Sequence, residues 1–359
     1  MNSQVEKKLV KNLLKWFQEN SRNLPWRKNR TPYRIWLSEI MLQQTRVDSV
    51  IPYFLRFTKK WPEVGDLAKA PLDQVLKEWE GLGYYSRARN LHKTAQIIHD
   101  SPQQCFPKIP KELQKLPGIG TYTAGAISSL AFGFPAPAID GNVVRVFSRI
   151  YAKNFLTPQD KNYLGLKTKI KQLIPKEQPG KFNEALMELG ATICTPKNFL
   201  CKKCPLKKYC KAFQLNKIHL FPKKTTKPKV QKRTLGIAII EHKNKILIHQ
   251  NPPKGIWGGL WGFPSIEISI KKPSTKALIE LNQTHLKKEL GFSIKYKKSL
   301  PMFHHQLSHR LLTLHPKTYR LSNYKKRNSR IKKPWVWVYK EELKNYGLSI
   351  AHRKIASQL

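Results

Sequence analysis

The chain has 359 residues, with 67 Lys and Arg against 22 Asp and Glu, a formal net charge of +45. The length suggests two domains or three, and the 40% apolar share supplies ordinary cores. A cationic surplus this large attracts polyanions, and nucleic acid is the first candidate; the alternative is a Lys-rich proteome that raises the basicity of all its proteins.

In chain order, MNSQVEKKLVKNLLKWF reads as an amphipathic helix with an acidic residue, not a signal peptide. Residues 5 to about 218 read mostly as helices. Thr31 and Pro32 offer an N-cap and a first-turn proline before YRIWLSEIMLQQT. In that helix Glu39 has Ile35, Trp36 and Leu42 as neighbours three and four residues away. An acid on so apolar a face resists ionising and suits a general acid near neutral pH. Without a partner it is an ordinary glutamate reaching for water. Further on, Pro71 precedes LDQVLKEW, and Gly81-Leu82-Gly83 ends that helix.

LQKLPGIGTYTAGAIS predicts a helix-hairpin-helix. Gly118 and Gly120 let backbone approach a phosphate, and the second helix aims its free N–H groups at it. Tight turns between helices also use glycine for packing alone. No run spans a membrane: the uncharged stretch Ala124 to Ile139 is short and carries two prolines. Asp140 follows it and can cap the helix GNVVRVFSRI, where the helix dipole favours its charged form. Two carboxylates pushed toward opposite protonation states form an acid and a charge stabiliser; capping alone also accounts for Asp140.

The helix KFNEALMELGATI runs into Cys194, the first of four cysteines spaced C-x6-C-x2-C-x5-C: Cys194, Cys201, Cys204 and Cys210. Four thiolates at this spacing suit a tetrahedral zinc ion or an iron–sulfur cluster. Lys202, Lys203, Lys207 and Lys208 between them would present cations to a phosphate backbone. Cys105 stands apart as a structural thiol. Five cysteines in this arrangement are no secreted disulfide framework, and the chain is expected to be cytoplasmic. Residues 221–233 form a basic, proline-bearing linker. Beyond it TLGIAII, KILIH, LWGFP and PWVWVY read as strands, interrupted by one helix from Thr275 to Leu290. No internal repeat is visible.

Together LPWR (24–27), LSEIMLQQT (37–45), GLGYYSRARNLHK (81–93), LPGIGTYTAGAI (116–127), IDGNVVRV (139–146) and the cysteine spacing resemble the adenine DNA glycosylases of the MutY family. The resemblance covers nearly the whole chain. It implies a mainly α glycosylase region of the helix-hairpin-helix superfamily over 1–220, with a [4Fe–4S] cluster on the four cysteines. An α+β, Nudix-like domain that reads 8-oxoguanine would follow over 234–359. The implied partner is double-stranded DNA containing adenine opposite 8-oxoguanine or guanine, met by a monomer that binds no membrane.

For the chemistry the resemblance implies that Glu39 protonates a flipped-out adenine. Asp140 then stabilises the oxocarbenium ion, and Asn142 helps to hold the site. Gln43 and Gln44 would contact the duplex around the lesion, with Tyr84 as the wedge beside 8-oxoguanine unless it is a core tyrosine. At position 122 endonuclease III-like relatives carry a Schiff-base lysine; Tyr122 cannot form one, which favours a monofunctional glycosylase. In the tail THLKKELG offers only Glu289 where a Nudix hydrolase needs a glutamate cluster, so recognition without hydrolysis is expected. The family's Phe-Ser-His loop stands here as Leu307, Ser308 and His309, or the segment is a plain surface hairpin. Two other readings remain: a pyrimidine-lesion glycosylase and lyase, and a non-catalytic iron–sulfur DNA-binding protein.

Overall fold

The computed structural model describes residues 2–155, 161–223, 230–269, 273–291, 293–322 and 334–359. Residues 224–229 of the expected linker lie outside the described residues. The chain forms two compact units, residues 1–70 with 89–226 and residues 71–88 with 227–359. The second unit therefore claims a segment that the sequence reading left inside the helical region.

The helices are α1 Ser3–Asn20, α2 Pro25–Lys28, α3 Pro32–Leu42, α4 Val47–Lys60, α5 Val64–Lys69, α6 Leu72–Glu78, α7 Ser86–His99, α8 Pro110–Leu113, α9 Thr121–Phe132, α10 Gly141–Tyr151, α11 Lys161–Leu173, α12 Pro179–Thr192 and α13 Lys211–Gln214. Helix α6 and the start of α7 belong to the second unit; the rest build the first. Helix α1 places Leu9, Leu13 and Phe17 at a spacing of four on one face and buries them with Val143, Phe147, Phe182 and Leu186. Thr31 caps α3 by accepting from the Arg34 N–H, and Pro32 fills its first turn, as the sequence predicts. From Tyr33 to Met41 only Arg34 escapes burial, so α3 carries its acid deep into the unit. Helix α12 runs close beside the start of α10 because Gly190 lacks a side chain: a Cβ there would stand 2.5 Å from that of Asn142.

The hairpin is present. Helix α8 is a single turn, Gly118 adopts a φ of +78°, and Gly120 caps α9. Nothing lies within 4 Å of where a Gly120 side chain would project.

In the second unit eight strands form one sheet among the described residues. They are β1 Gln231–His242, β2 Lys245–Gln250, β3 Trp261–Gly262, β4 Ser265–Ile268, β5 Ile294–Ser299, β6 Phe303–Gln306, β7 Arg310–Leu321 and β8 Trp335–Tyr339, with helices α14 Thr275–Leu290 and α15 Ile350–Ala356. The central pair, β1 and β7, is parallel, from Gln231 beside Arg310 to Glu241 beside Arg320. Leu235, Ile237 and Ile239 pack on one sheet face with Ala351 and Ile355 of α15. Ala238 and Ile240 turn to the other with Leu286 of α14. Burial on both faces is why TLGIAII reads as an unbroken apolar run.

Four strands were not read from the sequence. The most consequential is β7, part of which lies in the stretch taken as a recognition loop. Its Leu312 and Leu314 are buried while polar residues alternate with them, and Pro316 sits mid-strand, a residue that argues against an inner strand.

Candidate active site

A cleft of about 600 Å³ in the first unit is lined by Glu39, Gln43, Gln44, Tyr122, Asp140 and Asn142 among others. These six come from α3 and its C-terminus, α9, and the start of α10, spread in sequence from residue 39 to residue 142. Such a volume is typical of small-molecule sites.

Glu39 is 6% exposed. Burial pushes its carboxyl up to about 7; the nearby charges of Asp140 and Glu184 push the same way, while a hydrogen bond from Tyr122 and the charge of Arg27 oppose it. The Tyr122 hydroxyl donates to Glu39 Oε2 at 2.7 Å. Tyr122 is half-buried, and its phenol is raised well above the ordinary range, first by desolvation and then by the charge of Glu39. It remains a neutral donor throughout the working pH range.

Asp140 caps α10: Oδ1 accepts from the Val143 N–H at 2.8 Å and Oδ2 from Asn142 Nδ2 at 2.7 Å. One expectation needs correction. The helix dipole was expected to favour the charged form of Asp140. Instead burial outweighs the N–H donors of Val143 and Asn142 and raises its carboxyl. What distinguishes the two acids is what opposes burial: N–H donors from Val143 and from the side chain and backbone of Asn142, with the charge of Arg145, at Asp140, against the Tyr122 hydroxyl and the charge of Arg27 at Glu39.

Asn142 is held in turn by Arg145, whose Nη2 donates to Asn142 Oδ1 at 2.7 Å and to the Gly190 carbonyl at 2.8 Å. Arg145 Nε donates to the Cys194 carbonyl at 2.7 Å. A continuous set of hydrogen bonds thus runs from Asp140 to the first cysteine.

The sequence reading missed the opposite wall. Arg22 grips Glu188 through Nε at 2.7 Å and Nη2 at 3.0 Å, Arg27 bridges Glu188 and Glu184, and Arg30 donates to Glu184 at 2.8 Å. Glu184 is 4% and Glu188 1% exposed. Burial works to raise Glu188, but hydrogen bonds and charge from Arg22 and Arg27 outweigh it and hold the carboxyl below its ordinary value. The signal was present: two acids four residues apart in the otherwise apolar NEALMELG, downstream of the arginine of LPWR.

Gln43 and Gln44 both reach the cleft. The Gln43 amide lies 3.3 Å from Thr123 Oγ1, and Gln44 adopts a φ of +57°. In the second unit Tyr84 is no core residue. It is 40% exposed, has a φ of +47°, and its hydroxyl hydrogen-bonds the Ser308 hydroxyl. Ser308 and His309 form the exposed tip of the β6–β7 hairpin, closed by the Leu307 N–H donating to the Arg310 carbonyl at 2.8 Å. Leu307 turns inward onto the sheet core.

Cys194 follows α12 by two residues, and Cys201, Cys204 and Cys210 follow through short 3₁₀ turns. All four are free and half-buried. Burial pushes the Cys204 thiol up to about 12, with Cys194, Cys210 and Cys201 each adding to it, so the four sulfurs face one another electrically. Arg149 Nη1 lies 3.3 Å from Cys194 Sγ. Among the described residues no three Cys, His, Asp or Glu side chains converge as a ready single-ion site. Four cysteines gathered on one loop, with a buried guanidinium beside the first, suit a group that binds them as thiolates. Lys202, Lys203, Lys207 and Lys208 are exposed on this loop. No described helix is long and apolar enough to cross a membrane.

A family model of the HhH-GPD superfamily of base excision DNA repair proteins matches residues 37–176, and a NUDIX domain model matches 236–358. The adenine DNA glycosylase of Buchnera aphidicola subsp. Schizaphis graminum is 37% identical over 345 residues, 96% of this chain and 96% of that protein. The human adenine DNA glycosylase is 35% identical over 71% of this chain and 56% of its own length. Among solved structures, a thermostable thymine-DNA glycosylase is 30% identical with a TM-score of 0.54, over 59% of this chain and 98% of its own. A non-covalent endonuclease III–DNA complex is 26% identical with a TM-score of 0.51, over 60% and 98%. With the paired carboxylates, the hairpin, the cysteine loop and the C-terminal sheet in place, and a relative matched end to end at this identity, the chain belongs to the adenine DNA glycosylase family.

Proposed function

We propose that the chain is a monofunctional DNA N-glycosylase that hydrolyses the bond between adenine and deoxyribose where adenine lies opposite 8-oxoguanine or guanine in duplex DNA. The observation that carries this reading is Glu39, a buried acid raised to about 7 and held by a neutral phenol in a cleft it shares with Asp140. A group with that pKa retains its proton at neutral pH and can still give it up.

The steps follow from the residues. The flipped adenine enters the cleft, and Glu39 transfers its proton to a ring nitrogen of the base. The glycosidic bond breaks, its electron pair leaving with the now neutral adenine. Positive charge develops on the sugar, and the Asp140 carboxylate, fixed by Val143 and Asn142, stabilises it. Water adds at the anomeric carbon and gives its proton to a carboxylate, leaving an abasic sugar. Glu184 offers a buried acceptor for the exocyclic amine of adenine on the opposite wall. The site residue at position 122 is a tyrosine, so no amine stands there to form a Schiff base and cleave the strand.

Cys194, Cys201, Cys204 and Cys210 would hold a [4Fe–4S] cluster, which supplies iron–thiolate bonds that staple the lysine-bearing loop. The lysines, the Gly118–Gly120 turn and the net charge serve the phosphate backbone. In the second unit Ser308 supplies an acceptor for the N–H that distinguishes 8-oxoguanine from guanine, with Tyr84 as the wedge. On α14 the stretch THLKKELG sets Glu289 beside Lys287 and Lys288, a poor magnesium site, so this unit recognises without hydrolysing. The protein acts as a monomer.

Single-turnover incubation with duplexes carrying adenine opposite 8-oxoguanine, adenine opposite cytosine, or thymine glycol tests the reading. Base release from the first and an intact strand until alkali treatment is the expected result. Release only from thymine glycol, with strand cleavage, would overturn it.

A further inference from the structure

Within the second unit an ion pair joins the segment that carries Tyr84 to helix α15. Arg353 of α15 donates to Glu80 through Nε at 2.7 Å and Nη2 at 2.8 Å. The guanidinium is itself fixed from behind, donating to the carbonyls of Leu343 at 2.8 Å and Tyr346 at 2.7 Å. Lys77 adds a third donor to Glu80 at 2.8 Å. The surrounding contact is close: a Cβ on Gly347 would sit 3.3 Å from the Lys77 backbone nitrogen. Gln250 donates to Asp73 at 2.9 Å.

Four residues beyond Glu80 comes Tyr84, and the loop between them is tied to itself. Gly81, Gly83 and Tyr84 all have positive φ, at 104°, 71° and 47°. Trp79 Nε1 donates to the Gly83 carbonyl at 3.1 Å. Arg87 donates to the carbonyls of Leu82 at 3.1 Å and Gly83 at 3.2 Å, and its guanidinium lies 5.3 Å from the Trp79 ring and 5.7 Å from the Tyr84 ring. The loop is thus tied to itself, and at its N-terminal end the two-pronged contact of Arg353 with Glu80 ties it to α15.

We propose that Glu80 and Arg353 are a positioning pair for recognition of the base opposite the target adenine: they set the Tyr84 loop on the C-terminal unit so that Tyr84 and Ser308 meet as one reading surface. A two-pronged ion pair fixes direction as well as distance, which a single lysine contact or an apolar patch does not. In this arrangement the Tyr84 and Ser308 hydroxyls hydrogen-bond each other. The inference rests on the reading of Tyr84 and Ser308 given under Proposed function.

The test uses the full-length, iron-loaded protein and single-turnover rates on adenine opposite 8-oxoguanine and adenine opposite guanine. The variants are Arg353→Met, Glu80→Gln, Arg353→Lys and the exchange Glu80→Arg with Arg353→Glu, beside Ser308→Ala with His309→Ala. Arg353→Met and Glu80→Gln are expected to lower the ratio of the two rates about tenfold, toward that of the Ser308/His309 variant, the first rate falling far more than the second. Arg353→Lys should recover part of the ratio and the exchanged pair most of it. Single variants that keep the wild-type ratio would overturn the pairing role. So would losses equal on both duplexes that track a drop in melting temperature, since that is a merely structural effect. A wild-type chain with no preference for 8-oxoguanine would instead remove the reading of Ser308, and this inference with it.

Discussion

Replacing Glu39 by glutamine tests the central electrostatic claim without any substrate. Folding raises this acid from its ordinary 4.5 to about 7. The folded state therefore holds a proton that the unfolded chain releases between those two pH values. Stability from this group is intact below the window, is lost as pH climbs through it, and the full cost of the buried charge is present above it. At about 1.4 kcal/mol for each pH unit of the window, that cost comes to roughly 3 kcal/mol. Glutamine has the shape of the protonated acid, can still accept from Tyr122, and never ionises. The variant should thus match the wild type near pH 4, below the window, and exceed it by about 3 kcal/mol at pH 8. For a unit of this size that is roughly 6–12 °C in melting temperature. Helical circular dichroism followed through heating at pH 4, 5, 6, 7 and 8 reads the difference. Asp140 titrates in both proteins, so most of its contribution cancels in the comparison. An offset between variant and wild type that does not change with pH would refute the argument, because it would mean Glu39 ionises in the fold as it does in water. The same variant should release no adenine, a loss of at least 10²–10⁴-fold, roughly the contribution of a positioned proton donor.

Tyr122→Phe removes the hydroxyl that opposes the rise of the Glu39 carboxyl; the high-pH fall in single-turnover rate should move to still higher pH, and a shift downward would assign the phenol another role. Purified protein should contain about four iron atoms and no zinc, and Cys201→Ser should weaken DNA binding or folding, measured by iron analysis and duplex titration; stoichiometric zinc in an anaerobic preparation would rule the cluster out. Ser308→Ala with His309→Ala should cut the preference for 8-oxoguanine over guanine by roughly ten- to hundred-fold, read as the ratio of base-release rates; full retention would place lesion reading near Gln44 instead. Removing the chain beyond residue 224 should have the same effect on preference, and should also lower the stability of what remains, because the partners of Glu80 and Asp73 go with it.

The helical unit was legible because its signals are local. Thr31 and Pro32 announce α3, Asp140 announces α10, and the glycines of the hairpin sit where a positive φ or an open approach requires them. The acid at Glu39 was visible as a charged residue on an apolar helical face. The sign at Asp140 was not, because capping geometry is written in sequence while depth of burial is set by elements far away in the chain. The Arg22–Arg27–Arg30 and Glu184–Glu188 wall escaped for the same reason: its members lie more than 150 residues apart and meet only in the fold. In the C-terminal unit the doubly buried β1 showed itself as a continuous apolar run. Strand β7 did not, since its alternation is interrupted by Pro316 and overlaps the stretch read as a loop.

The second unit is assembled from two pieces of chain, 71–88 and 227–359. During synthesis the first piece emerges long before Arg353, which must be made before Glu80 has its ion partner. At typical translation speeds of about 5–20 residues per second that interval is on the order of 10–50 s. Over that time Leu76 and Trp79, buried in the finished fold, lack the surface that α6 joins, while α1 to α5 and α7 to α12 already have their own core to close around. The nascent chain should therefore be cut by protease near 71–88 until the C-terminus is released, a delay that ribosome-bound chains of increasing length can time.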